Sequence, residues 1–186
     1  MKALLTGQGD LADRVAGVLA AEGWLLTRAA DAPSARLAGD ETLLVTVAPD
    51  PAGDWGPALE SVLLAPVRLA QALAAAQPDP SRDASGERRA PAQVVHVVHR
   101  RALVPGCADP VQAAATAALA AALREGALAL APRLRVNGLA VDQGADPAPA
   151  LSWLLRAHAV TGQVLHLGPD PRPVTGWRRE AGAADT

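Results

Sequence analysis

Lys2 to Thr27 read KALLTGQGDLADRVAGVLAAEGWLLT. Lys2 to Thr6 is a short apolar run closed by Gly7 and Gly9, the pattern of a buried strand followed by a tight turn. Leu11, Val15, Val18 and Leu19 then recur at helical spacing, and Gly23 stands where a helix stops. Trp24 to Thr27 reads as a second strand. Strand, glycine turn, helix and strand make the opening of a βαβ unit. Such a unit implies a parallel sheet with helices on its faces.

The rest of the chain continues the alternation. Leu43–Ala48 (LLVTVA), Val94–Val98 (VVHVV), Leu134–Val141 and Gln163–Leu167 read as strands. Leu59–Ala76, Asp109–Leu130 and Ala148–His158 read as helices. Asp109 suits an N-cap, and Pro110 suits the first helical position. Ala29–Gly39 is a short helix or a loop, and the run PDPAGDWGP after the third strand reads as a turn. Residues 77–93 read as a flexible surface loop, and the Pro-, Gly- and Arg-rich tail from 169 to 186 as poorly ordered. The expected fold is a doubly wound, Rossmann-like three-layer αβα sandwich with a mostly parallel sheet, in one domain over residues 1–168.

Composition narrows the function classes. Of 186 residues half are apolar, and the chain has no tyrosine, no phenylalanine and one lysine, Lys2. Sixteen arginines make up the remainder of the seventeen basic residues, and the net charge is −2. With no basic run, nucleic acid is not an expected partner. One cysteine, Cys107, excludes an internal disulfide and a cysteine-based zinc site. The N-terminus does not read as a signal peptide, and no apolar run of about twenty residues suggests a membrane span. A cytoplasmic protein is the expectation.

Several stretches resemble the short-chain dehydrogenase/reductase family, in the right order along the chain. MKALLTGQG with its helix is similar to the family's opening strand and glycine loop. ESVLLAPVRLAQAL resembles the helix that carries a family asparagine, and VVHVVHRRA the strand that ends in the catalytic serine. VQAAATAAL resembles the start of the Tyr-x-x-Ser-Lys helix, and RVN with VTGQVLHL closes the series. The resemblance implies a catalytic group of serine, tyrosine, lysine and asparagine. Those positions here fall on His99, Gln112, Thr116 and Val62. His99 and Gln112 are thirteen residues apart, the family's usual spacing, and no tyrosine exists elsewhere to take the role.

The resemblance also implies an NAD(P) site. Thr6, Gly7 and Gly9 remain of its loop, while Leu11 and Asp13 stand at later glycine positions and Asp10 adds further negative charge. Arg28, at the end of the second strand, reads either as a contact to a 2′-phosphate or as a surface arginine. His99 is a conceivable replacement acid. His96 and His99, read as sharing a strand face, are a conceivable metal pair, but no third ligand stands at suitable spacing and no metal is expected. About fifteen residues between the second and third strands are too few for the family's usual edge strand. About eight residues after Val141 are too few for a substrate lid.

Three readings follow. The first is a non-catalytic relative, binding no cofactor. It would act as a structural or regulatory subunit, pairing with itself or with an active dehydrogenase through helices 59–76 and 109–130. The second is an NAD(P)-dependent oxidoreductase with a rebuilt site, and the third is a small-molecule binding module. The alanines of the second long helix would let a partner helix approach closely, or simply reflect composition. Trp153, Leu154, Leu155, Val164 and Leu167 would form a second contact.

Overall fold

Six parallel strands build the molecule among the described residues, in the order β2-β1-β3-β4-β5-β6. They are β1 (Lys2–Thr6), β2 (Leu25–Ala29), β3 (Leu43–Val47), β4 (Ala92–His99), β5 (Leu134–Val141) and β6 (Val164–Leu167). The computed structural model describes residues 1–49, 54–77 and 90–168. Residues 78–89 of the segment read above as a surface loop, and the tail from 169, lie outside these residues, while Ala92 and Gln93, read as loop, begin β4 because they are buried and paired with β5. Helices α1 (Asp10–Ala21), α2 (Trp55–Ala76), α3 (Pro110–Ala129) and α4 (Ala148–Arg156) cover the two faces, giving the doubly wound αβα sandwich.

Alternation along the strands sorts the core. Leu5, Val45, Val97 and Leu139 point to one face, where Leu11, Val15 and Leu19 of α1 and Leu151 and Leu154 of α4 meet them. Leu4, Leu44, Val94 and Val136 point to the other, under Leu69 and Leu73 of α2 and Leu123 and Ala127 of α3. A smaller cluster on that face joins Val62, Val98, Ala115, Leu119 and Ala140. Because β1, β3, β4 and β5 are buried on both faces, they read as continuous apolar runs rather than alternating ones.

Two local departures from the sequence reading have physical causes. Helix α2 begins at Trp55, inside the run read as a turn, because the Asp54 side chain accepts from Gly56 N–H at 3.2 Å and caps it. Pro57 is tolerated because first-turn N–H groups need no intrahelical partner. Residues Leu59–Leu64 then widen into a π turn, just ahead of Pro66, which cannot donate to the preceding turn. Helix α4 ends at Arg156, two residues before His158, as Ala157 leaves helical backbone at φ −78°, ψ 81°.

Two expected losses are seen directly. Residues 30–42 contain turns but no helix or strand, so β2 is left as an edge of the sheet. Glu41 holds this connection by accepting from Ala38 and Gly39 N–H, both at 2.9 Å. Only residues 142–147 separate β5 from α4, leaving no length for a lid. Helix α2 is long and apolar enough to cross a bilayer. It is instead the crossover between β3 and β4, with Ala65, Leu69, Ala70 and Leu73 buried.

Candidate active site

Where the winding reverses, between β1 and β3, a cleft of about 620 Å³ opens at the carboxyl ends of the strands. Gly9, Asp10 and Arg14 from the start of α1, His99 from β4 and Asp142 after β5 line it. Thr6 ends β1 fully buried beneath. Gly7 has φ +120°, and a Cβ there would lie 2.8 Å from both the Cβ and the carbonyl oxygen of Val47. Its glycine is therefore required by the approach of β3. Gly9, with φ +87°, precedes α1 and faces open space.

The electrostatics of this corner oppose an anion. The α1 N-terminus would attract a phosphate, but its first turn carries Asp10 and Asp13. Arg28 donates from Nη2 to Asp13 Oδ1 at 2.8 Å, and Arg14 Nε lies 2.9 Å from Asp10 Oδ2. Arg28 is thus hydrogen-bonded to one acid of this turn, whereas Arg14 is ion-paired with the other and its buried Nε makes no hydrogen bond. A dinucleotide pyrophosphate at this helix start would meet the carboxylates of Asp10 and Asp13.

His99 lies half-buried at the end of β4. Desolvation, and then the charge of Arg14, hold its pKa below the ordinary histidine value. Both causes favour the neutral ring over the imidazolium that a general acid would need. The next residue, Arg100, turns inward and donates to Asp142 Oδ2 at 2.6 Å. A Cβ at Gly168 would stand 2.0 Å from that oxygen and 2.7 Å from Arg100 Nη1. The ends of β4, β5 and β6 thus close over one ion pair. Neither Asp142 nor Arg100 is marked as a site residue by the sequence. A long-range pair carries no local pattern.

The other positions implied by the resemblance lie away from the cleft lining. Val62, 1% exposed, packs with Ala48, Val98 and Leu119. Gln112 and Thr116 are on the buried side of α3. Thr116 lines a space of about 10 Å³ with Val98, Leu103 and Leu119, room for about one water. The only lysine, Lys2, sits at the opposite end of β1 and pairs with Asp40. The structure thus gathers Gly9 and His99 around one cleft with Thr6 and Gly7 below. Arg28 stands at its edge, and Val62, Gln112 and Thr116 are in helix–sheet packing.

His96 and His99, three residues apart on one strand, take opposite faces, which corrects the reading that placed them together. His96 points to the α2/α3 side, where Thr46 Oγ1 lies 2.7 Å from its Nδ1. Burial depresses its pKa to about 4. No group of three or more metal-ligating side chains occurs among the described residues.

Comparison with known proteins agrees with this geometry. The family described as "SDR-like: Short chain dehydrogenase-like protein" matches residues 65–167. No curated protein matches the sequence. Among solved structures, one similar fold is the FolM alternative dihydrofolate reductase 1 from Brucella canis complexed with NADP. It has a TM-score of 0.68 and 17% identity, covering 94% of this chain and 97% of that one. The enoyl-[acyl-carrier-protein] reductase (NADH) from Aquifex aeolicus gives 0.69 at 17% identity, covering 89% and 93%. A small-chain dehydrogenase gives 0.65 at 18%, covering 89% and 95%.

Proposed function

The chain belongs to the short chain dehydrogenase-like family, and from that premise we propose that it is a non-catalytic member acting as a structural or regulatory subunit. The observation that carries this reading is the packing of Val62, Gln112 and Thr116, all buried where the resemblance places asparagine, tyrosine and lysine. Glutamine has no proton to give near neutral pH, and threonine has no charge to shift a neighbour's pKa. General acid–base catalysis contributes roughly 10²–10⁴-fold in enzymes that use it. The engaged arginines and the acidic first turn of α1 support the further reading that NAD(P) is not a cofactor here.

Partner binding is assigned to α2 and α3. Three of the large apolar side chains left exposed lie on them: Trp55 and Leu64 on α2, and Leu128, 77% exposed, on α3. Such residues mark association surfaces when they cluster. On α4, Trp153 is exposed, whereas Leu154 and Leu155 are spent on the chain's own core. The partner is a second copy or an active dehydrogenase of the same fold.

A second reading, a reductase with a rebuilt site, draws on the cleft itself. Its volume falls within the roughly 300–1,000 Å³ of ordinary ligand sites, and a structural neighbour was solved with NADP. Calorimetric titration of the purified chain with NADH and NADPH separates the two. The scaffold reading expects no saturable binding up to millimolar cofactor, and co-purification from the native host should recover a dehydrogenase with the tyrosine–lysine pair or a second copy. Micromolar affinity with hydride transfer to a carbonyl substrate would overturn it.

A further inference from the structure

On the α2/α3 side of the sheet, away from the cleft, a cavity of about 330 Å³ opens between the two helices. Its walls are apolar, from Val67, Ala70, Leu123 and Val136. Two polar residues, Gln71 and Glu125, join from the helices, and His96 joins from β4.

His96 is the unusual group. It is 3% exposed, and its hydrogen bond at Nδ1 to Thr46 leaves Nε2 with no partner among the described residues. The tautomer follows from Thr46. If the Thr46 hydroxyl accepted from Nδ1–H, its own proton would have no acceptor, since its neighbour in register, Thr6, shows no hydrogen bond at Oγ1. Thr46 O–H therefore donates to Nδ1, and Nε2 carries the ring proton. Nε2 is not among the fully buried side-chain atoms that lack a partner, so it is open to whatever occupies the cavity.

Gly126 adds a second sign. It lies inside α3 and lines the cavity, and a Cβ at this position would meet nothing within 4 Å. Packing does not require glycine there, and mid-helix glycine costs about 1 kcal/mol relative to alanine. Its effect is to keep the cavity open.

We propose that this cavity binds a compact, uncharged, apolar carbonyl compound whose oxygen accepts from His96 Nε2–H. The apolar walls take the hydrocarbon body, and the single donor takes the oxygen. No cation lines the cavity, so a carboxylate would be desolvated without compensation beside Glu125. The mouth lies on the helices assigned above to a partner, which links occupancy to assembly. The isolated chain therefore has to be used, so that failure of ligand binding and failure of assembly are read separately.

The test is titration of the full chain at low micromolar concentration with 2-octanone and with octanoate, followed by calorimetry and by the ¹⁵N signals of the imidazoles. The ketone should bind saturably and octanoate should not. His96 should show the Nε2–H tautomer, with that signal moving on ketone addition. His96→Val should weaken binding about five- to tenfold, the worth of one hydrogen bond. Gly126→Leu, which leaves His96 in place, should abolish it. No saturable ketone binding to the wild type, an Nδ1–H tautomer, equal binding of octanoate, or binding untouched by Gly126→Leu would each overturn the proposal. So would a homodimer, seen by sedimentation, whose own side chains fill the cavity and exclude the ketone.

Discussion

The cleft at the strand ends and the cavity between α2 and α3 share one strand, β4, and differ in how their polar groups are used. In the cleft's lining Arg14 faces Asp10, with Arg101 beside them, and next to the lining Arg28 faces Asp13 and Arg100 faces Asp142. Charge there is paired with charge, and burial with the nearby Arg14 lowers the His99 pKa. In the cavity, three residues back along the strand, His96 bonds Thr46 at Nδ1 and turns its other nitrogen to mainly apolar walls, with Gln71 and Glu125 the other polar residues. The larger space, about 620 Å³ against 330 Å³, is the more highly charged of the two.

Restoring the family's catalytic pair is the largest intervention that can break this comparison. Thr116→Lys with Gln112→Tyr places an ammonium and a phenol on the buried side of α3, where Thr116 is 2% exposed. The adjoining space is only about 10 Å³. An uncompensated buried charge costs about 3–5 kcal/mol, and overpacking adds to it. Urea denaturation should show a loss of that size and no gain of NADPH binding. A double variant as stable as the wild type that binds NADPH would show that the cleft still holds an active-site shape.

The fold was legible because its signals are local and repetitive. The β1–α1–β2 opening and the Asp109–Pro110 helix start can be read from neighbouring residues, and β5 was placed at its observed ends. The start of α2 was hidden because Trp55-Gly56-Pro57 looks like a turn until Asp54 is seen to cap it. The emptied catalytic positions were legible through resemblance alone. The polar features that replace them were not. The Arg100–Asp142 pair spans 42 residues and the Thr46–His96 pair spans 50. The register of a parallel sheet brings such residues together, and no local spacing announces it.

Acid tests the cavity side of the comparison at the next size of effect. The His96 pKa lies at about 4 in the folded chain against an ordinary 6.5. Above pH 6.5 both folded and unfolded chains hold it neutral. Between 6.5 and 4 the unfolded chain takes up a proton that the folded chain refuses, so stability falls as pH falls. That gap corresponds to about 3 kcal/mol by pH 4, and His99, also lowered, acts in the same direction. Urea midpoints measured from about pH 7 down to about pH 4.5 should drop steeply in the wild type and much less in His96→Val. Equal slopes would mean that His96 is not held neutral.

The smallest expected effect tests the other side, the claim that the cleft's charges are spent on each other. Asp142 is about a quarter exposed, with its side chain at 28% and that of Arg100 at 7%. A fully buried pair broken on one side costs about 3–5 kcal/mol, and exposure of the carboxylate discounts this, so Asp142→Asn should cost about 1–2 kcal/mol. Gly168→Ala presses on the same pair, since its Cβ would stand 2.0 Å from the Asp142 oxygen. The two changes should therefore couple: Gly168→Ala should cost clearly less on an Asp142→Ala background than alone, by at least about 0.5 kcal/mol in a double-mutant cycle. Additive costs would mean that Asp142 moves away from Gly168 freely and is not held in place by Arg100.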